Sequence, residues 1–520
     1  MNRRNFIKQA GGTAMSLPVF INGIQLSTIA KAPLFQFMEE SDRVLVLVQM
    51  NGGNDGLNMV IPRDQYAGLS AVRRNIMIPE NSVLPVTDLV GFHPSLKALK
   101  YMYDEGRVGV LQSVGYPNQN RSHFRSYDIW ASGSSAEEFV NTGWMGRYFD
   151  TLYGGYPEGY PNSEFPHPFA ITMDYVVSET CQGTASNFSV TVNDPFSMRS
   201  LFEGEVDEIP NTPYGDELKY LRTSIAQTNK YSETITEAAN LGRNAVTYSN
   251  NNRLARQLKN VALLISGGLR TKIYIVSIGG FDTHAGQVDK NNPLIGSHAD
   301  LLEKVSNAIS TFQNDLKAQG LEHRVVGMTF SEFGRKIKSN ESYGTDHGTA
   351  SPLILFGSCI NAKIFGNNPE IPTNIDSSEG LPMENDFRDV YGSILVDWFK
   401  VEETKVKSLL YEDFQKLPII EECTVTTSSN NIELSESIEI KVSPNPFREK
   451  TGIEFNLEKD AWVRLSIFNA VGGEVKVLTN QRLSAGEHRI PIEGISLEAG
   501  VYFCHLKIGH YAKTKRMVKV

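Results

Sequence analysis

Short apolar runs recur between about Asp42 and Leu417: Val44–Val48, Val108–Leu111, Ile273–Ile278, Val325–Phe330 and Leu353–Phe356. Each is rich in β-branched or aromatic residues and lacks in/out alternation, which predicts parallel strands buried on both faces. Helical spacing separates them. Leu301, Leu302, Val305, Ile309, Phe312 and Leu316 follow a 3.6-residue period that stops at Gly320. Leu254, Leu258, Val261 and Ile265 end at Gly267-Gly268, and Pro94, Leu96 and Leu99 open a helix ending at Gly106. Strand and helix in alternation predict an α/β domain over 40–420, a mostly parallel sheet flanked by helices. Residues 154–211, rich in Gly, Pro, Ser and Asn, predict long loops or an insertion.

The pattern changes after Cys423. Residues 424–437 open with Thr424-Val425-Thr426-Thr427-Ser428-Ser429-Asn430-Asn431, which reads as a linker. Over 438–520 the period becomes two: Ile453/Phe455/Leu457, Val463/Leu465/Ile467, Val475/Val477 and Val501/Phe503/His505 alternate, with turns at Gly472-Gly473, Gly486 and Gly500. A small all-β sandwich is expected there. At the other end, Arg3-Arg4 precedes Phe6 and a weakly apolar stretch to Ala30-Lys31-Ala32, which reads as a signal peptide over 1–32 and a poor membrane span.

Composition narrows the class. Apolar residues make up 40% and charged residues 21%, which excludes disordered, collagen-like and coiled-coil chains. A net charge of −9 without a basic stripe argues against nucleic acid as a partner. Cys181, Cys359, Cys423 and Cys504 form no CxxC pair, so zinc-finger and thioredoxin readings fall, while any disulfide pairing stays open.

The candidate chemistry lies beside the strands. Val44–Val48 runs into Asn51-Gly52-Gly53-Asn54-Asp55, Ile273–Ile278 into Gly280-Phe281-Asp282-Thr283-His284, and Val325–Phe330 into Ser331-Glu332-Phe333-Gly334-Arg335; Gly344-Thr345-Asp346-His347-Gly348 precedes Leu353–Phe356. Three of the four follow a strand's carboxyl end, where open parallel sheets bind ligands. Asp282 and His284, two apart on extended backbone, project to one side. With Asp55, Asp346 and His347 they form a mixed N/O set suited to Zn²⁺ or Mn²⁺ rather than Ca²⁺, with room for a second ion such as Mg²⁺. Ser122, at a predicted helix start, is the candidate nucleophile and Ser126 the runner-up. Arg121, Arg125 and Arg335 are candidate grips for an anion. His167, His298 and His323 read as surface or helix-end residues. Tyr148, Phe149, Tyr153, Tyr156 and Tyr160 read as packing, with a sugar-binding rim as the alternative.

Taken in order, the Asn51–Asp55 turn, Gly91-Phe92-His93-Pro94-Ser95-Leu96, Ser122-His123-Phe124, Gly280–His284, Ser331–Arg335 and Gly344–Gly348 resemble the exported bacterial family called domain of unknown function 1501, itself similar to the alkaline-phosphatase-like superfamily. The resemblance implies that Asp55, Asp346 and His347 serve one metal position and Asp282 and His284 another. The Asp-x-His spacing departs from the superfamily's Asp-xxx-His and leaves a third imidazole position open to His93, His123 or Glu332. It implies an exported metal-dependent hydrolase or phosphoryl-transfer enzyme acting on small-molecule or glycan phosphate esters, ahead of sulfate esters. No Cys/Ser-x-Pro-x-Arg sequence is present, as a formylglycine sulfatase requires. The rival reading is a surface protein that keeps the fold for binding or assembly without turnover.

Two further resemblances concern transport. Arg3-Arg4 resembles a twin-arginine signal, implying the twin-arginine translocase as a partner. Ser443-Pro444-Asn445-Pro446-Phe447, Ala485-Gly486-Glu487-His488, Gly500-Val501-Tyr502-Phe503 and Lys515-Arg516-Met517-Val518 resemble the sorting domain of the type IX secretion system of Bacteroidetes. That resemblance implies handling by that machinery, passage through the periplasm and delivery to the cell surface or beyond.

Overall fold

The computed structural model describes residues 20–21, 24–25, 42–198, 212–421, 440–457, 461–469, 474–493, 497–508 and 511–520. The expected signal (1–32), apart from four of its residues, and the linker (424–437) lie outside them. The chain divides into one compact unit within Pro33–Cys423 and another that includes Thr424–Val520.

The first unit is built on a nine-stranded sheet: β1 (Val44–Asn51), β2 (Val108–Gly115), β3 (Ala170–Thr172), β4 (Ser189–Thr191), β5 (Ile273–Gly279), β6 (Val325–Phe330), β7 (Ser351–Gly357), β8 (Ile364–Phe365) and β9 (Asn385–Asp386). Its order is β8-β2-β7-β6-β1-β5-β3-β4, with β9 also on β2. The apolar run of β1 serves two cores. Val44, Val46, Val48 and Met50 join one and Leu45 and Leu47 the other, the two-sided burial expected of a central parallel strand. Helices α1 (Lys97–Asp104), α5 (Arg253–Ser266) and α6 (Ser297–Ala318) fill the first core through Leu99, Leu258, Val305 and Phe312. Helices α2 (His123–Ser132), α3 (Trp144–Leu152) and α7 (Phe387–Ser393) fill the second, where Trp144 stacks on Tyr391 at 4.1 Å.

Three expectations change. The Leu353–Phe356 run forms β7, which is antiparallel to both β6 and β2 while the other pairings are parallel. Burial on both faces marks a central strand but carries no direction. Residues 154–211 contribute β3 and the edge strand β4, too short at three residues each to show a period. Helix α4 (Pro213–Leu241) has no counterpart among the predicted elements; among its described side chains the buried apolar ones are Tyr231, Ile235, Ala238 and Ala239. Tyr148, Phe149, Tyr153 and Tyr156 are buried, Tyr156 stacking on Phe188 at 4.2 Å.

The second unit has two antiparallel sheets, β10-β11-β14 and β13-β12-β15-β16, from β10 (Lys441–Ser443), β11 (Lys450–Leu457), β12 (Ala461–Asn469), β13 (Glu474–Leu483), β14 (Gly486–Glu493), β15 (Gly500–Ile508) and β16 (Tyr511–Lys519). Ile453, Phe455, Leu457, Val463, Leu465 and Ile467 point inward as expected. On β15 the phase is shifted by one residue. Tyr502, Cys504 and Leu506 are buried while Val501 is exposed, and Val475 and Val477 on the sheet-edge strand β13 are exposed as well. Cys359 is disulfide-bonded, whereas Cys181 and Cys504 are free and buried. Among the described residues no helix is long and apolar enough to cross a membrane.

Candidate metal centre

The reversed direction of β7 assembles the site. Ser351 at its start pairs with Val114 near the end of β2, so the residues before β7 lie at the same sheet edge as those after β1, β2, β5 and β6. Close approach there needs glycine. At Gly52 (φ +121°) a Cβ would sit 2.3 Å from the Asp282 amide nitrogen, and at Gly344 it would sit 2.4 Å from the His284 carbonyl oxygen.

His123, Asp282 and His347 present ligand atoms that all lie within 4.8 Å of one another. His284 stands beside this group, its Nε2 2.9 Å from His347 Nε2 and 3.2 Å from Asp282 Oδ1. His347 Nε2 is 3.2 Å from Asp282 Oδ1, and His123 Nε2 is 3.6 Å from Asp282 Oδ2. A four-coordinate ion with bonds of about 2.0–2.1 Å holds its ligands about 3.3 Å apart, and these separations bracket that value. Of the residues considered for the third position, His123, the first residue of α2, is the one whose ring stands beside Asp282 and His347.

Each ring is oriented from behind through Nδ1. His123 Nδ1 lies 2.7 Å from Glu332 Oε1, His284 Nδ1 3.0 Å from Asp346 Oδ1, and His347 Nδ1 2.9 Å from the Arg121 carbonyl oxygen. A carbonyl only accepts, so His347 carries its proton on Nδ1 and directs a lone pair at the centre. Burial holds the His347 pKa below its ordinary value, which favours that neutral form. If His284 is neutral and donates to Asp346, two lone pairs meet at 2.9 Å, a repulsive arrangement that a shared cation turns into ligation. This is the second-shell pattern of metal-bound histidine.

Both carboxylates stay ionised. Burial acts to raise the pKa of Asp282, but the bond and charge of Arg335, with His347 and His284, hold it below the ordinary value. For Asp346, burial is likewise overcome by hydrogen bonds from His284, Asn340 and Lys336. The four converging side chains are 25–47% exposed, an opening that a closed structural site would not keep. Glu332 is buried and also accepts the Gly52 amide at 2.8 Å, so it positions His123. Glu332→Gln is expected to weaken metal binding about 10–100-fold, measured by competition with a chromophoric chelator.

The other expected site residues lie elsewhere. Asp55 is fully buried, with Oδ1 accepting from Arg73 at 3.0 Å and Oδ2 from Gln287 at 2.5 Å, so both of its oxygens are already engaged. His93 is buried at a helix start, where its Nδ1 accepts the Ser95 amide; burial and neighbouring His298 push its pKa down to about 3. Arg335 is not a free anion grip. Its Nε donates to Gly53 O, Nη1 to Thr345 O, and Nη2 to Phe281 O and Asp282 Oδ1, clamping the loops after β1 and β5 to the loop before β7. Arg125 bonds Asp128 and the Ala136 carbonyl. The runner-up Ser126 is buried between Tyr116 and the Glu332 carbonyl. His298 is no surface residue: it is buried in the first turn of α6 against Asn54, and burial lowers its pKa to about 4.

Ser122 is exposed at the N-cap of α2 and makes no side-chain capping bond. Its neighbours in sequence are both tied to the centre, Arg121 through its carbonyl and His123 directly. Arg121 Nη1 donates to the Ser378 carbonyl at 2.7 Å, and its side chain lines a cavity of about 580 Å³ with Asn118, Thr349 and Asp376. Sequence reasoning missed Arg73 and Gln287, which fall outside every motif and act from the interior.

A family model described as Protein of unknown function (DUF1501) matches residues 107–384, and one described as Secretion system C-terminal sorting domain matches residues 441–520. No curated protein matches the sequence. Among solved structures, PsFucS1 sulfatase from Pseudoalteromonas sp. is similar at 11% identity and a TM-score of 0.33, over 90% of this chain and 86% of that one. The phosphonate monoester hydrolase SpPMH from Silicibacter pomeroyi is similar at 9% identity and 0.33, over 92% and 89%. PorZ, a surface component of the type-IX secretion system of Porphyromonas gingivalis, is similar at 15% identity and 0.12, over 20% of this chain and 13% of that one.

Proposed function

The chain belongs to the DUF1501 family and carries a type IX sorting domain, which indicates export to the cell surface, and on that premise we propose that it is a metal-dependent hydrolase of phosphate esters, ahead of sulfate esters. The observation that carries the reading is the placement of three imidazole Nε2 atoms within 3.6 Å of an Asp282 oxygen, each ring oriented from behind, in an open site. His123, His284, His347 and Asp282 would hold one divalent ion, Zn²⁺ or Mn²⁺ by the three-nitrogen, one-oxygen donor set. A second ion finds no ligand in Asp55, whose carboxylate serves Arg73. Bound there, the ion supplies Lewis acidity toward an ester oxygen and lowers the pKa of a nearby hydroxyl.

Ser122 Oγ would form a bond to phosphorus as the ester O–P bond breaks, the serine proton leaving with the departing alcohol; water would then attack phosphorus, break the O–P bond to serine, return a proton to Ser122 Oγ and release inorganic phosphate. Developing charge would fall to Arg121 and to the first-turn amides of α2, which have no intrahelical acceptor. The proposed route is twin-arginine export to the periplasm, then transfer by the type IX machinery. Such a route suits a protein whose metal is acquired on folding, before export.

Metal analysis of the exported protein, with a panel of aryl phosphates and aryl sulfates, tests the reading. About one divalent ion per chain, phosphate-ester turnover lost on chelation, and loss of both in His347→Ala are expected. No bound metal and no turnover in the unaltered protein would leave the non-catalytic surface-protein reading.

A further inference from the structure

Resting on that metal-centre reading, we propose that Gln287 is a positioning residue which holds the two ligand-bearing loops in register. Gln287 is fully buried and its amide can take only one orientation. Nε2 donates to Asp55 Oδ2, an ionised acceptor, while Oε1 accepts from Thr283 Oγ1 at 3.0 Å and Thr345 Oγ1 at 2.7 Å. Thr283 stands between Asp282 and His284, and Thr345 immediately precedes Asp346 and His347. One amide therefore joins Thr283, which stands between two of the four side chains, to Thr345, which leads into His347 and into Asp346, the carboxylate that orients His284. The two loops also meet through backbone bonds, Thr345 N to Thr283 O at 3.1 Å, Gly286 N to Ser342 O at 2.9 Å, and Gln287 N and Val288 N to Tyr343 O at 2.9 and 3.4 Å; the Gln287 amide adds the side-chain link between them. Arg73 completes the anchor: its Nη1 donates to Asp55 Oδ1 and its Nε to the Ile337 carbonyl. The chain from Arg73 through Asp55 to Gln287 is buried throughout, so the register of His284 against His347 is set from the interior.

Low local dielectric makes such a network strong when every member is satisfied and costly when one is removed. Gln287→Met keeps the side chain's length and removes all three hydrogen bonds. Thr345→Val removes one of them, and Thr345→Ser restores the hydroxyl.

The test is titration of the full chain with Co²⁺, reading the d–d absorption bands and the affinity, alongside the thermal midpoint. Gln287→Met is expected to weaken Co²⁺ binding about tenfold or more, the lower end of losses seen for outer-shell partners, and to change the intensity of the bands. Thr345→Val is expected to show a smaller loss in the same direction, with Thr345→Ser close to the unaltered protein. A lowered midpoint with unchanged affinity and bands in the folded variants would overturn the positioning role and leave the metal centre standing. Absence of Co²⁺ binding by the unaltered protein would overturn the centre itself, and this inference with it.

Discussion

Replacing Ser122 by alanine is expected to lower kcat on an aryl phosphate by about 10³-fold or more, the scale at which loss of a nucleophile is felt, with metal content and metal affinity unchanged. The Arg121 carbonyl accepts from His347 and His123 is itself one of the converging ligands, so the backbone carrying Ser122 is pinned at both ends to the centre. Ser122 is the exposed N-cap residue of a ten-residue helix and makes no side-chain capping bond. Alanine leaves the backbone and both neighbours in place, so a structural role would move stability by about 0.5–2 kcal/mol, as for an ordinary cap, and would leave kcat nearly untouched. Steady-state kinetics of the metal-loaded protein, with metal analysis of the same samples, separates the two. Turnover within a few-fold of the unaltered protein would remove Ser122 from the mechanism.

The second large effect concerns stability. Arg73→Met should destabilise the Pro33–Cys423 unit by about 3–5 kcal/mol, because it leaves the buried Asp55 carboxylate without its cation. That is a substantial share of the roughly 5–15 kcal/mol by which folded domains are stable. Arg73→Met with Asp55→Leu should recover most of the loss, since replacing both charges removes the desolvation cost together with the attraction. The pH dependence has a defined sign. Burial acts to raise the Asp55 pKa, but the charge of Arg73 outweighs it with help from His298 and Gln287, and the folded value lies below the ordinary 3.8. The pair's contribution is thus fully present above about pH 4 and is lost as pH falls through the depressed folded value. In Arg73→Met, burial without the guanidinium favours the protonated acid, so the gap between variant and unaltered protein should narrow on acidification. Calorimetric scans between pH 7 and pH 3.5 check both points; a gap that widens toward acid would contradict the pairing.

The strands and helices of the main unit are legible because their residues carry a strong local signal. Val44–Val48 and Ile273–Ile278 are apolar without alternation, and they lie in the centre of a sheet covered on both faces. Where the signal is weak, reading failed. The strands at Ala170–Thr172 and Ser189–Thr191, three residues each, are too short to show a period. In the β-unit, Val501 and Phe503 suggest one face of β15, yet Tyr502, Cys504 and Leu506 are the residues turned inward. Two faces of similar polarity leave the phase undetermined by pattern alone.

The site was legible as a set of residues and not as an arrangement. Asp282, His284, Asp346 and His347 stood out because polar clusters beside buried strands are rare and costly unless used. Local sequence could not separate Asp55, which faces inward to Arg73 18 positions away, from Asp282, which faces the centre. Nor could it tell that Arg335 would spend its donors on four backbone carbonyls and Asp282.

By itself the amino-acid order determined the α/β and all-β units, the identity of the imidazole and carboxylate groups, and the sheet edge at which most of them cluster, since these follow from periodicity and from chemistry carried on short segments. Only the tertiary structure decided which groups converge. Strand direction at Ser351–Gly357 brings the loop of His347 to the edge that holds His284, and the start of Lys-free helix His123–Ser132 supplies the third ring. Those outcomes depend on contacts between residues 63 positions apart (His284 and His347) to 237 positions apart (Ser351 and Val114), and such contacts leave no periodic trace in the chain.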